Sequence, residues 1–227
     1  MTRRERLREN TRDEIKAIAR QQLADGGSAA LSLNAIARAM EVTPPALYRY
    51  FASRDELITA LIVDAYHALA TYMRDCVAEA PDQVSDKLFS ASWAYRAWAF
   101  EHRADFLLLF GTPIPGYAPP TEVLHAAAKD VFLVFLKIMQ HAFDQQQLHP
   151  PAEHIALQQA CEPESSDWPI HPLVNLTGIA AWTRIHGIVM LELTGYLDEA
   201  LNARGTFYRM ECKRIHQELK MPIGTLL

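Results

Sequence analysis

Tyr48, Arg49 and Tyr50 fall within a single helical turn, placing a guanidinium between two phenol hydroxyls. Hydroxyls at such positions suit phosphate oxygens, and an arginine can span O6 and N7 of guanine with two donors. The residues just upstream have little to add by hydrogen bonding. Pro44, Pro45 and Ala46 offer only apolar contact, for example to thymine methyls, which leaves Arg49, Asn34 and Thr43 as candidates for hydrogen bonds to bases. Leu47 and Phe51 are four residues apart, the spacing of two anchors on one helix face.

Other chemistries find no support. The chain lacks a G-x-S-x-G nucleophile turn, a phosphate-binding P-loop and a dinucleotide fingerprint, so an enzyme is not expected. Cys76, Cys161 and Cys212 are far apart with no C-x-x-C pair, which argues for a reducing cytoplasm rather than a disulfide framework. His141, His149, His154 and His171 lie in or beside one segment, without the i, i+4 pairing or cysteine partners that zinc sites favour. No metal and no cofactor is expected.

The elements that must position these residues read as helices throughout. Thr11 and Glu14 have capping-box spacing, and Ile15, Ile18, Ala19 and Leu23 continue from them as an apolar stripe. Gly26-Gly27 stops this first helix. Ser32 caps a second helix whose Ala35, Ile36 and Ala39 face inward. Thr43 caps a third, with Pro44 in the first turn, where no amide donor is needed. Ser53 and Glu56 open a long helix to about Glu79. Two short helices separated by a tight turn, with a third starting straight after, form a helix-turn-helix, which places one helix in the DNA major groove while the other braces it.

Beyond Pro81, further helices are expected at 84–101, 104–110, 122–147, 173–197 and 205–220, with 149–172 as a loop holding one helical turn at most. The expectation is an all-α chain: a three-helix N-terminal domain over residues 1–55, and a helical ligand-binding and dimerisation domain over residues 56–227.

The run Leu47-Tyr-Arg-Tyr-Phe-x-Ser-Arg-Asp-Glu-Leu57, preceded by Ile36-Ala-x-x-Met-x-Val-Thr43, resembles the DNA-binding domain of the TetR family of bacterial transcriptional regulators over roughly residues 8–60. Trp182-x-x-x-His186-Gly187 and His102-Arg-Ala-Asp-Phe are similar to the regulatory domain of a TetR subfamily named for its Trp-His-Gly set. The resemblance implies phosphate contacts at Tyr48 and Tyr50, at Ser32 with the start of the second helix, and at Arg54, where the family usually has lysine. With Asn34, Thr43, Pro45, Ala46 and Arg49 these make up the expected DNA-binding set. Glu41 stands where the family usually has glycine, at a cost of roughly 1 kcal/mol if its backbone is left-handed.

Residues 173–197 are apolar nearly all round. Leu176, Ile179, Thr183, His186, Met190 and Leu193 make one stripe, and Val174, Ala181, Ile185 and Val189 another, so both sides must be covered. With Phe207, Met210, Ile215 and Leu219 they predict a two-fold, four-helix interface. A homodimer would read a pseudo-palindromic double-stranded operator. The aromatic and sulfur residues Trp93, Trp98, Phe106, Phe110, Phe132, Phe135, Met139, Trp182 and Met190 together could enclose a cavity for a small-molecule effector of unknown identity, as TetR-like proteins usually do, although any single one of them reads first as ordinary core. His186 is either a polar group of that cavity or a core histidine bonded to Glu192 or a backbone carbonyl.

Charge divides unevenly along the chain. The net −5 comprises +2 over residues 1–60 and −7 over residues 61–227. Arg3, Arg4, Arg6, Arg8 and Arg12 form either a flexible arm on DNA or a solvated tail diluted by Glu5, Glu9 and Asp13. Asn175, Arg184, His186 and Glu192 interrupt the most apolar run, which argues against a membrane span. The expected behaviour is that of a cytoplasmic, effector-released repressor. The alternatives are a regulator controlled by a protein partner, with a filled core, and an all-helical enzyme or binding protein.

Overall fold

The computed structural model describes residues 2–27, 30–160, 169–197 and 205–226, and all regular structure among them is helical. By contacts the chain forms two compact units, residues 1–68 with 102–128 and residues 69–101 with 129–227. The expected boundary at residue 55 thus falls at the start of a helix whose first half belongs to the first unit.

In the first unit, α1 (Arg3–Gly26), α2 (Leu33–Ala39), α3 (Pro44–Leu47) and the start of α4 (Arg54–Glu79) enclose a core of Ile15, Ala19, Ile36, Leu47, Phe51 and Leu61. α1 starts eight residues before the expected Thr11. Thr2 and Glu5 form a reciprocal capping box with the same spacing as Thr11 and Glu14, while the Thr11 hydroxyl donates to the Leu7 carbonyl within the helix. The five N-terminal arginines therefore lie within α1 and not on an extended arm. Gly27 ends it at φ 66°. Ser32 caps α2 by accepting from the Ala35 amide, but Thr43 makes no side-chain cap to α3. A turn, not a further helical segment, carries residues 48–50, held by Tyr50 N–H to Leu47 O at 2.9 Å. Glu41 has φ 55°, the left-handed value expected for the family's glycine position.

The sequence-expected α6 (Arg103–Phe110) also joins this unit. Phe106 is fully buried and packs on Phe110, which meets Tyr66 edge-on. Arg20 of α1 bridges Asp64 at 3.3 Å and Asp105 at 3.4 Å, and Lys16 reaches Asp64 at 3.0 Å.

The second unit holds the end of α4, α5 (Val84–Glu101), most of α7 (Thr121–Asp144), α8 (Ala152–Ala160), α9 (Pro172–Leu193) and α10 (Thr206–Glu218). α8 occupies nine residues of the expected loop 149–172, and residues 161–168 of that segment lie outside the described residues. α9 ends four residues early, where the chain turns through Gly195 at φ 83°. Its Val174, Ile185 and Val189 enter the core, whereas Ile179 and Leu191 remain 44% exposed. Ile215 and Leu219, expected at an interface, are buried in this unit instead. Arg184 is accommodated by pairing with Glu211 at 2.9 Å and with Glu218. No described helix is long and apolar enough to cross a membrane.

Candidate nucleic-acid interface and bundle cavity

Leu47 and Phe51, 1% and 0% exposed, tie the reading segment into the core. Most of the residues between and ahead of them face outward. Thr43, Pro45, Tyr48 and Arg49 are exposed, and Ala46 and Tyr50 half-buried, so the side chains expected to meet DNA form one solvent-facing ridge. Pro44 and Pro45 at the start of α3 set helical φ but carry no N–H, which removes two backbone donors from that end.

A groove lies on each side of the ridge. One, of about 390 Å³, is lined by Ser32, Asn34, Tyr48, Ser53 and Arg54. Within it the Ser32 oxygen accepts the Ala35 amide and the Ser32 amide donates to Gln22, while Arg54 Nε donates to the Leu31 carbonyl at 3.3 Å. The second, of about 570 Å³, is lined by Thr2, Arg4, Arg8, Thr11, Arg49 and Tyr50, among others. The nine expected residues thus fall into three places: Ser32, Asn34, Tyr48 and Arg54 in one groove, Arg49 and Tyr50 in the other, and Thr43, Pro45 and Ala46 on the ridge. Arg4 and Arg8 complete the second groove. The sequence offered both only as members of the N-terminal arginine cluster; that i, i+4 spacing puts these two on one helix face needed α1 to be helical from residue 3.

The ten expected cavity residues scatter more widely. Phe135, Met139 and Trp182 line a cavity of about 30 Å³ with Leu88, Ser92, Gly178, Ile185, Cys212 and Leu219. That volume admits water but is an order of magnitude below the ~300–1,000 Å³ of a typical ligand site. Beside it, Phe132 meets Trp182 edge-on, Trp182 stacks on His186 at 4.7 Å, and His186 Nδ1 shares a 2.8 Å hydrogen bond with the Tyr95 hydroxyl. Burial pushes the His186 pKa below its ordinary value, which favours the neutral ring. The expected partner of His186, Glu192, instead forms a buried pair with Arg96 at 2.7 Å. Trp98 is a core residue, Met190 is half-buried, and Trp93 lies stacked on Phe89 beneath the Arg96 and Arg209 guanidiniums. Phe106 and Phe110 pack within the first unit and do not line this cavity.

Gly178 explains why the cavity is tight. A Cβ there would lie 2.4 Å from Leu136 Cδ2, so α9 approaches α7 as closely as a glycine permits. Cys212 was not anticipated, although Cys212, Ile215 and Leu219 form a readable helical stripe. Burial pushes its thiol pKa up to about 12, so it behaves as a small apolar wall rather than a nucleophile. Among the described residues, no three His, Cys, Asp or Glu side chains gather as metal ligands. His154 pairs instead with Thr177, and His171 caps α9 by accepting the Leu173 amide.

Comparison with known proteins adds an independent line. Residues 15–61 match the family model described as bacterial regulatory proteins, tetR family, and residues 88–211 match the tetracyclin repressor-like C-terminal domain. HTH-type transcriptional regulator Rv1816 of Mycobacterium tuberculosis is 42% identical over 134 residues, covering 56% of this chain and 57% of that protein. The Mycobacterium bovis regulator Mb1846 matches to the same extent. A solved regulatory protein, SCO4313, is 36% identical over 94% of this chain and 98% of its own, with a TM-score of 0.79. A regulatory protein of the tetR family from Rhodococcus RHA1 shares the fold at 15% identity, covers 93% of this chain and 98% of its own, and has a TM-score of 0.66.

Proposed function

Because this chain belongs to the TetR family of bacterial regulatory proteins, we propose that it is a sequence-specific DNA-binding transcriptional regulator and not an enzyme. It acts in the cytoplasm as a homodimer on a pseudo-palindromic operator. The observation that carries this reading is the ridge from Thr43 to Arg49, exposed between two polar grooves while Leu47 and Phe51 hold it to the core. The unpartnered Ile179 and Leu191 on α9 and Met210 on α10 supply apolar surface for the second copy.

In this reading the protein is a repressor released by a small-molecule effector seated among α5, α7, α9 and α10. Since the cavity holds only about 30 Å³, an effector larger than water must displace its walls. The Phe132–Trp182–His186–Tyr95 chain borders it on α5, α7 and α9, so its displacement links effector entry to helix movement. The population shift is bounded by the effector's differential affinity for the two arrangements. The same small volume favours a second reading, a regulator with a filled core that is controlled by a protein partner.

Selection of genomic fragments by the purified protein, followed by fluorescence polarisation on the enriched sequence, tests the central proposal. A pseudo-palindrome bound tightly by wild type and weakly by Tyr48→Ala supports it. Sequence-independent binding alone would overturn it. Displacement of the bound operator by members of a small-molecule library, absent for a filled core, separates the effector reading from the partner reading.

A further inference from the structure

Arg49 lies beyond the last helical residue of α3, in the turn that leads back to the core, and not at the helix start that reaches deepest into a major groove. It shares its groove with Arg4 and Arg8, one turn apart on the same face of α1. Among the described residues, none of these three arginines makes an ion pair or a side-chain hydrogen bond. The acid in the groove, Glu5, is occupied by the Thr2 amide at 2.7 Å. Three guanidiniums drawn from two separate elements outnumber the single carboxylate in the groove, which leaves it net positive and suited to an anion.

α1 is also held in place. The Thr2–Glu5 capping box orders its first turn, and Arg12 Nη1 donates to the Tyr50 carbonyl at 2.7 Å with its guanidinium 4.3 Å above the Phe51 ring. At 1.5 Å per residue, Arg4 projects roughly 12 Å beyond that anchor. Its reach from the ridge is therefore fixed by a helix and not by a tether.

We propose that the groove formed by Arg4, Arg8, Arg49 and the Thr2 hydroxyl binds the sugar-phosphate backbone of the operator flank, outside the base pairs that α3 covers. This inference rests on the reading of the chain as a DNA-binding regulator. It moves Arg49 from the base-reading candidates to the phosphate contacts, and it extends the footprint of each half-site outward. The function of the groove is affinity and register, since phosphate contacts carry no direct sequence information.

The test uses the full-length protein and the selected operator, with Kd measured by fluorescence polarisation across a series of salt concentrations. Removing one phosphate contact lowers the slope of log affinity against log salt by about 0.9, so each arginine should account for about two in a symmetric dimer. Arg4→Gln with Arg8→Gln, and separately Arg49→Gln, should flatten the slope accordingly. Both should weaken matched and point-changed operators by the same factor, and Arg4→Lys with Arg8→Lys should retain the slope. Trimming the outer base pairs of the operator should bring wild type to the slope of the double variant and leave that variant unaffected. An unchanged slope, or loss of discrimination at a single base pair in Arg49→Gln, would overturn the proposal. Failure to select any operator would instead overturn the regulator reading beneath it.

Discussion

Arg12 and Tyr50, 38 residues apart, are joined by a 2.7 Å hydrogen bond from the guanidinium to the main-chain carbonyl. That bond fastens α1 to the turn that follows α3, and the same guanidinium lies over Phe51. Arg12→Ala removes both contacts from a half-buried site and is expected to cost about 1–3 kcal/mol in chemical denaturation. Operator affinity should fall further than stability alone explains, because the first turns of α1 lose their fixed position. Arg12→Lys keeps the charge but not the planar fork, and should behave closer to alanine than to wild type.

Glu41 adopts φ 55° without a glycine's freedom. Glu41→Gly relieves roughly 1–2 kcal/mol of local strain, offset by about 0.4–1 kcal/mol of added chain entropy in the unfolded state. The expected net effect is a slight rise in melting temperature with unchanged DNA affinity. A β-branched replacement, Glu41→Val, should lower it clearly.

Two glycines of α9 make opposite predictions. Gly178→Ala forces a methyl to within 2.4 Å of Leu136 Cδ2 in a packed core, at an expected cost of about 1–3 kcal/mol seen in urea unfolding. Nothing lies within 4 Å of a Cβ on Gly187. In an isolated protomer Gly187→Ala should therefore stabilise the helix by up to about 1 kcal/mol. If the second copy packs on that face, the same change should weaken dimerisation in sedimentation equilibrium while leaving protomer stability at or above wild type.

Asp86, fully buried at the start of α5, accepts from Thr225 Oγ1 at 3.0 Å and the Leu226 amide at 2.8 Å. Burial opposes its ionisation, but these hydrogen bonds outweigh burial and hold its pKa below the usual carboxylate value. Its contribution is therefore fully present above the unfolded value of about 3.9 and is lost as pH falls through the lower folded value. Asp105 has the opposite sign. Burial raises its pKa despite Arg20, so its unfavourable contribution appears as pH rises through and above the ordinary carboxylate range. Melting curves between pH 3 and pH 7 should show Asp86→Asn losing stability chiefly at neutral pH. Asp105→Asn should instead remove a decline that wild type shows on leaving acid.

The reading helix and its neighbours were legible in sequence because local chemistry sets them. Ser32 caps α2, Leu47 and Phe51 keep the spacing of two anchors, and the long helix ends at Glu79 as its proline stop predicts. The start of α1 was not, because Thr2–Glu5 and Thr11–Glu14 carry the same pattern and only the folded backbone chooses between them. α8 was hidden by a segment rich in proline, histidine and acid, and it buries none of its residues fully. The cavity was least readable. Phe106 and Phe110 have the same composition as its walls, yet α6 carries them into the first unit, a long-range outcome that periodicity does not encode.

The way Leu47 and Phe51 fasten the ridge from beneath has a bearing on how such a protein changes over generations. Thr43, Pro45, Tyr48 and Arg49 are exposed and touch little of the core, so their replacement shifts folding stability by only about 0.5 kcal/mol or less. Target preference can thus drift through Thr43 and Pro45, and affinity through Tyr48 and Arg49, with almost no folding burden, and a duplicated copy can acquire a new operator before it loses its shape. The same separation makes the ridge a graftable cassette: the outward positions at the start of α3, exchanged between paralogues with both anchors retained, would redirect the protein while the rest of the chain keeps its fold.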